Sequence, residues 1–117
     1  MFFTNREEEF IDLLIRVGTR RNIATALVFM ANADEVSSRE IERGTDLRQP
    51  EVSLAMRYLI DRDWVISREN ETPCKGRPLK IFKLAKPITE IVKSIEDEKR
   101  HEANQKIQLT KKLFAYI

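Results

Sequence analysis

Residues 44–86 constrain this chain more than any other stretch, because a turn, an amphipathic helix and a basic hairpin follow one another with almost nothing between them. The turn is Gly44-Thr45-Asp46-Leu47. The spacing then predicts a helix over roughly Gln49 to Arg62, with Val52, Ala55, Met56, Leu59 and Ile60 forming one buried stripe. Pro50 falls in its first turn, where a missing N–H costs nothing. The opposite face shows Arg48, Gln49, Glu51, Ser53, Leu54 and Arg57. The hairpin runs out along Val65-Ile66-Ser67-Arg68, through 69–75, and back along Lys80-Ile81-Phe82-Lys83-Leu84, with its tip at Lys75-Gly76-Arg77-Pro78. Gly76 and Pro78 forbid a plain ladder at the tip, so a loop is expected there. One face of the returning strand should pack on the helices, with Lys80 and Lys83 outside and Trp64 anchoring the core beneath.

A net charge of +2 is too small to identify a partner, but its distribution is informative. In 62–86, Arg62, Arg68, Lys75, Arg77, Lys80, Lys83 and Lys86 outnumber Asp63, Glu69 and Glu71. In 34–61 the balance reverses, with Asp34, Glu35, Glu40, Glu42, Asp46, Glu51 and Asp61 against Arg39, Arg43, Arg48 and Arg57. Positive charge is therefore gathered on the hairpin, where a phosphate backbone can use it. A helix able to lie in a major groove, with a cationic β-loop beside it, is the outline of a winged helix-turn-helix. Double-stranded DNA is the expected partner.

The flanks read as helices. Phe10, Leu13, Leu14 and Val17 recur at helical spacing, predicting a helix over Asn5–Val17 with Asn5 as N-cap, Glu7–Glu9 at the positive dipole end and Gly18 as the stop. A second helix, Arg21–Ala31, is apolar around most of its circumference and should be buried. Val36-Ser37 reads as a short strand. Ser37-Ser38-Arg39-Glu40 has capping-box spacing and opens a short helix over Arg39–Arg43, with Gly44 expected to supply a positive φ at its end. From Pro87 a long helix should run to Tyr116. Its first third carries Ile88, Ile91, Val92 and Ile95, its middle is polar all round, and apolar character returns at Ile107, Leu109, Leu113, Phe114 and Tyr116. Such a helix usually finds a partner, so homodimerisation through it and the first helix is expected. The fold class is α+β, mostly α: a winged helix-turn-helix over 1–86 with a two-stranded β-wing, then a C-terminal dimerisation helix over 87–117.

Several classes are disfavoured. With Cys74 the single cysteine and His101 the single histidine, no disulfide framework or intrachain Cys/His metal site is expected. Cys74 reads as an unreactive surface thiol rather than a redox switch, although Lys75 and Arg77 stand beside it. After Met1-Phe2-Phe3 the chain reaches Arg6-Glu7-Glu8-Glu9, which leaves no room for a signal-peptide core, and no apolar run approaches the ~20 residues of a membrane span. A cytoplasmic protein without cofactor or metal is expected. No nucleophile–base pair, phosphate-cradling glycine loop or metal cluster is present, so catalysis is not.

The run from Glu40-Ile41-Glu42-Arg43-Gly44 through Thr45-Asp46-Leu47-Arg48-Gln49-Pro50-Glu51-Val52-Ser53-Leu54-Ala55-Met56-Arg57-Tyr58-Leu59 resembles the helix-turn-helix of ArsR-like and TrmB-like prokaryotic transcriptional regulators. Gly76-Arg77-Pro78-Leu79-Lys80-Ile81-Phe82-Lys83-Leu84 is similar to the wing of archaeal members. The resemblance covers about Val36 to Leu84. It implies a groove-facing set of Gln49, Pro50, Ser53, Leu54 and Arg57, with Arg57 on a guanine edge or phosphate, Gln49 on adenine and Ser53 on a phosphate or base. Arg48 stands where many relatives carry serine or threonine, so a different cap and first phosphate contact are expected. Lys75, Arg77 and Lys80 would hold the adjacent backbone or minor groove. The metal-sensing cysteine and histidine clusters of ArsR-like relatives are missing. The implied function is sequence-specific DNA binding by a homodimeric transcriptional regulator, as repressor or activator. The alternative is a winged helix used as a protein–protein interaction module of the transcription machinery, which the acidic stretch 34–61 and the long C-terminal helix favour.

Overall fold

The computed structural model describes residues 3–70 and 79–117. Cys74, Lys75, Gly76, Arg77 and Pro78, and with them the expected loop tip, lie outside the described residues. The chain divides into two compact units, 1–87 and 88–117.

The first unit begins with α1 (Asn5–Arg16) and α2 (Arg21–Ala31). The N-cap of α1 is Thr4 rather than Asn5: Thr4 Oγ1 accepts from the Glu7 N–H at 3.2 Å, and a Glu7 carboxylate oxygen accepts from the Thr4 N–H at 2.8 Å. Threonine and glutamate three apart form a reciprocal box that Asn5 cannot. Gly18 ends the helix as expected. It sits at φ 108°, and the Gly18 and Thr19 amides donate to the carbonyls of Ile15 and Leu14 at 3.0 and 2.9 Å, a Schellman closure. The apolar spacing of α1 buries only Leu14, whereas Leu13 and Val17 remain 58% and 47% exposed. The second helix is the centre of the core, burying Ile23 through Val28 and Met30.

The short strand β1 (Val36–Ser37) leads into α3 (Ser38–Gly44), which is longer than expected by one residue at each end. Ser37 Oγ accepts from the Glu40 N–H at 3.1 Å and the Glu40 carboxylate accepts from the Ser37 N–H at 2.9 Å, completing the expected box. Gly44 does not adopt a positive φ. Glycine is required there for a different reason, since a Cβ would run into the Phe29 ring, 2.5 Å from Cζ. The helix α4 (Gln49–Asp61) follows, with Val52, Ala55, Met56 and Leu59 buried and Ile60 half-buried.

At the end of α4 the chain turns through Asp63 at φ 62°. The Asp63 and Trp64 amides donate to Ile60 and Leu59 carbonyls at 2.9 and 3.0 Å, a second Schellman closure without a glycine. Asp63→Gly should therefore raise stability by about 0.5–1 kcal/mol, the left-handed strain less the added chain entropy, as read from chemical denaturation.

The hairpin strands are β2 (Val65–Asn70) and β3 (Leu79–Leu84), and β1 joins them in a three-stranded antiparallel sheet of order β1-β3-β2. The wing hairpin is thus fastened along its β3 edge by Val36 and Ser37. Trp64, Val65 and Phe82 are buried, as Trp64 was expected to be. The face that holds Val65 and Phe82 also carries Lys80, because Lys80, Phe82 and Leu84 alternate on one strand. Lys80 and Lys83 are three apart and point to opposite faces, so they do not both line the outside. Both are exposed.

In the second unit, α5 (Ile88–Leu113) is followed by a 3-10 turn, Phe114–Tyr116. Pro87 precedes the helix rather than opening it. Its polar middle is laced by pairs one turn apart: Lys93–Glu96 at 3.3 Å, Lys99–Glu102 at 3.4 Å and Arg100–Glu96 at 3.8 Å. Every residue from Arg100 onward is exposed. Among the described residues, no helix is long and apolar enough to cross a membrane.

Candidate nucleic-acid interface

The outward face of α4 follows from its inward one. With Val52, Ala55, Met56 and Leu59 turned into the core, Gln49, Pro50, Ser53, Leu54 and Arg57 are left exposed, together with the flanking Arg48. All six helix-side residues singled out from the sequence therefore lie on the accessible side of one element. Leu54 is 59% exposed, an apolar side chain in the middle of a polar surface. Gln49 Nε2 donates to Ser53 Oγ at 2.8 Å, so these neighbours are already oriented by one another.

The N-terminus of α4 departs from an ordinary cap, as the arginine at 48 led us to expect. A guanidinium has no acceptor, so only half of a box forms, with Glu51 Oε1 accepting from the Arg48 N–H at 3.1 Å. One oxygen of Glu51 is thus committed to the helix end. Four further contacts seat that end. Asn22 Nδ2 donates to the Glu51 carbonyl at 3.2 Å, and Arg21 pairs with Asp46 at 2.9 Å. In the turn, the buried Thr45 hydroxyl donates to the Ile41 carbonyl at 2.7 Å and accepts from the Leu47 N–H at 3.1 Å. Sequence reasoning missed these positioning residues. A hydroxyl in a Gly-Thr-Asp-Leu turn was a usable signal for Thr45; nothing local marks Asn22 or Arg21.

On the wing, the described candidate is Lys80; Lys75 and Arg77 lie outside the described residues. Lys80 stands directly opposite Glu69 in the β2–β3 register. Arg68, counted in the basic hairpin, is bound to Glu35 at 2.8 Å and ties the wing to the start of β1. The Arg68 hydrogen bond holds the Glu35 carboxyl below its ordinary value against an opposing partial desolvation, with the charges of Arg68 and Lys83 assisting. Because the folded value lies below the unfolded one, the pair's contribution is full above the ordinary carboxylate value of 4.5 and is lost as pH falls through the lowered one. The difference in melting temperature between wild type and Glu35→Gln should accordingly shrink as pH is taken from about 7 to about 3.

Tyr58 and Trp64 frame another cation. The Arg62 guanidinium lies 4.5 Å from the Tyr58 ring centroid and 5.3 Å from that of Trp64, bracing the junction of α4 and β2.

No family model matches this sequence, and no curated protein matches it by sequence. Solved structures match its fold. A possible transcriptional regulator from Methanosarcina mazei Go1 superposes with a TM-score of 0.63 at 11% identity, over 86% of this chain and 86% of that one. NadR, solved in complex with 4-hydroxyphenylacetate, gives 0.55 at 16% identity over 92% and 80% of the two chains. A MarR family regulator from Neisseria meningitidis gives 0.53 at 18% identity over the same shares. Together with the three-stranded sheet and the α3–turn–α4 unit, these likenesses establish the architecture: the chain has the fold of winged helix-turn-helix regulators.

Proposed function

We propose that this chain is a sequence-specific DNA-binding transcriptional regulator that acts as a homodimer. In this reading α4 enters the major groove and the wing lies on the adjacent backbone or minor groove. The observation that carries it is the sorting of α4, whose polar side, with Arg48, Gln49, Ser53 and Arg57, stands exposed while its apolar side is buried. Arg57 is assigned to a guanine edge or phosphate, Gln49 to adenine, Ser53 to a phosphate or base, and Leu54 to a thymine methyl. Lys75, Arg77 and Lys80 are assigned to backbone contacts. The resemblance to ArsR-like and TrmB-like archaeal regulators supports the same reading, as do neighbours described as transcriptional regulators.

Part of the acidity of 34–61, which favours a protein-interaction module, is used within the fold. Glu40 and Glu51 cap helices, and Glu35 and Asp46 pair with Arg68 and Arg21. Exposed Leu109, Leu113, Phe114 and Tyr116 on the C-terminal element, and Leu13 and Val17 on α1, supply apolar surface for a second copy. Selection of bound fragments from a random duplex pool tests the proposal. It should enrich a pseudo-palindrome with half-sites about 10 base pairs apart or a multiple of that. An asymmetric site would contradict the dimer, and no enrichment would contradict sequence-specific binding.

A further inference from the structure

Thr25 lies in the middle of α2 and is only 3% exposed. The hydroxyls of Thr45 and Thr110 each donate to a carbonyl about one turn earlier, that of Ile41 at 2.7 Å and that of Ile107 at 2.6 Å. Thr25 makes no such bond, and among the described residues its hydroxyl has no hydrogen-bond partner. Nor is that oxygen sealed, because no unpaired side-chain oxygen among the described residues is fully enclosed. It is reached from a groove of about 420 Å³ between α1, α2 and the turn before α4, which Thr25 helps to line. A hydroxyl placed so deep costs stability unless something bonds it.

The groove is apolar within and charged at its rim. Phe3 and Ile11 are half-buried along it, and Ile15 continues their surface one turn further on α1. Most of the rim charge is already matched. Asp46 pairs with Arg21 at 2.9 Å and Asp12 with Arg16 at 3.0 Å, while Glu8 stands exposed. An ammonium would find two of the three rim carboxylates engaged. A carboxylate would meet Glu8 and would have to take Arg21 from Asp46. What remains unmet is a neutral hydroxyl beside an apolar wall, in a volume suited to a small molecule.

We propose that this groove binds a small uncharged amphiphile, with an aromatic or branched aliphatic body on Phe3, Ile11 and Ile15 and a hydroxyl bonded to Thr25. A threonine hydroxyl both donates and accepts, so an alcohol or a phenol satisfies it in either sense. Burial of the body supplies the affinity, and the single hydrogen bond fixes the orientation. Arg21 and Asp46, which form one part of the rim, also seat the start of α4. The bound molecule therefore adjoins the helix that the proposed function places on DNA. The site itself does not depend on that function, and either can fail without the other.

Amide chemical-shift titration of the full, isotope-labelled chain tests it with probes that share one body and differ in the head: phenethyl alcohol, phenylacetate and phenethylamine. The alcohol should shift amides of α1 and α2 and bind about 10-fold or more tightly than either charged probe, whose head loses hydration in the groove. Thr25→Val keeps the shape and removes the hydroxyl, so it should weaken the alcohol about 5- to 10-fold, and Thr25→Ser should retain most of the affinity. Ile15→Glu, at a 38% exposed position, should weaken it about 10-fold or more by charging the apolar wall. Glu8→Gln should leave it unchanged. Circular dichroism melts establish that each variant is folded, and Ile15→Glu decides the matter should Thr25→Val not fold. No binding of the alcohol to wild type, a charged probe that binds as tightly, or affinity unaltered by Thr25→Val or Ile15→Glu would overturn the site. So would a loss with Glu8→Gln, which would move the head to the acidic rim.

Discussion

Leu59→Ala should cost about 3–4 kcal/mol of stability, whereas Leu54→Ala, on the same helix, should stay within about 0.5 kcal/mol of wild type. Both remove the same atoms. Leu59 is fully buried in the α4 stripe, so its deletion loses apolar burial and leaves a cavity. Leu54 is 59% exposed and has little burial to lose. Under the proposed function the roles reverse for DNA: Leu54→Ala weakens duplex binding through lost apolar contact with a base, while a folded fraction of Leu59→Ala binds normally. Urea denaturation followed by circular dichroism measures the first pair of values. Equal costs at the two positions would mean that α4 is rotated from the orientation described here.

Gly44→Val should cost about 2–3 kcal/mol, although glycine within a helix ordinarily costs stability relative to other residues. The added Cβ would meet the Phe29 ring, 2.5 Å from Cζ and 3.1 Å from Cδ1, and the ring would have to leave its site between α2 and α3. Overpacking of this kind outweighs any gain in helix propensity, and valine's branched side chain gains little in a helix anyway. Phe29→Ala in the Gly44→Val background should therefore be less damaging than Phe29→Ala alone, with a coupling of about 1 kcal/mol or more in a double-mutant cycle. Additive costs would place the glycine's role elsewhere.

Gly44 also marks how far local reasoning extends. A glycine after a short helix invites a positive φ, but the backbone there is ordinary and the constraint comes from Phe29, fifteen positions earlier. The converse case is Asp63, a left-handed residue that no glycine advertised; Asp tolerates that conformation, and only the Schellman hydrogen bonds reveal it. The borders of α2 were legible because apolar residues fill 23–31 except at Thr25, with Arg20, Arg21 and Asn22 before them and Asn32 after. The true cap of α1 was legible too, in Thr4 and Glu7 at box spacing, and Asn5 was a less specific choice. Period-two arithmetic places Lys80 and Lys83 on opposite faces of β3, and the expectation that both lined the outside overlooked it. The pairing of Val36 with Phe82 and the ion pairs Arg68–Glu35 and Arg21–Asp46 join residues 25 or more positions apart, which no periodicity encodes. For the candidate interface, the apolar stripe identified the exposed face of α4 by elimination. The half-box at Arg48 and the Gln49–Ser53 bond depended on side-chain positions.

The most direct test of the account is fluorescence anisotropy on a mixed-sequence duplex across a salt series, with wild type beside Arg57→Ala and Lys80→Ala. Wild-type binding should weaken steeply as salt rises. Arg57→Ala should lose about 10-fold or more in affinity, and Lys80→Ala should lower the salt slope by about one. Absence of binding at low salt by a folded dimer, or binding that neither substitution alters, would contradict a DNA interface built on α4 and the wing.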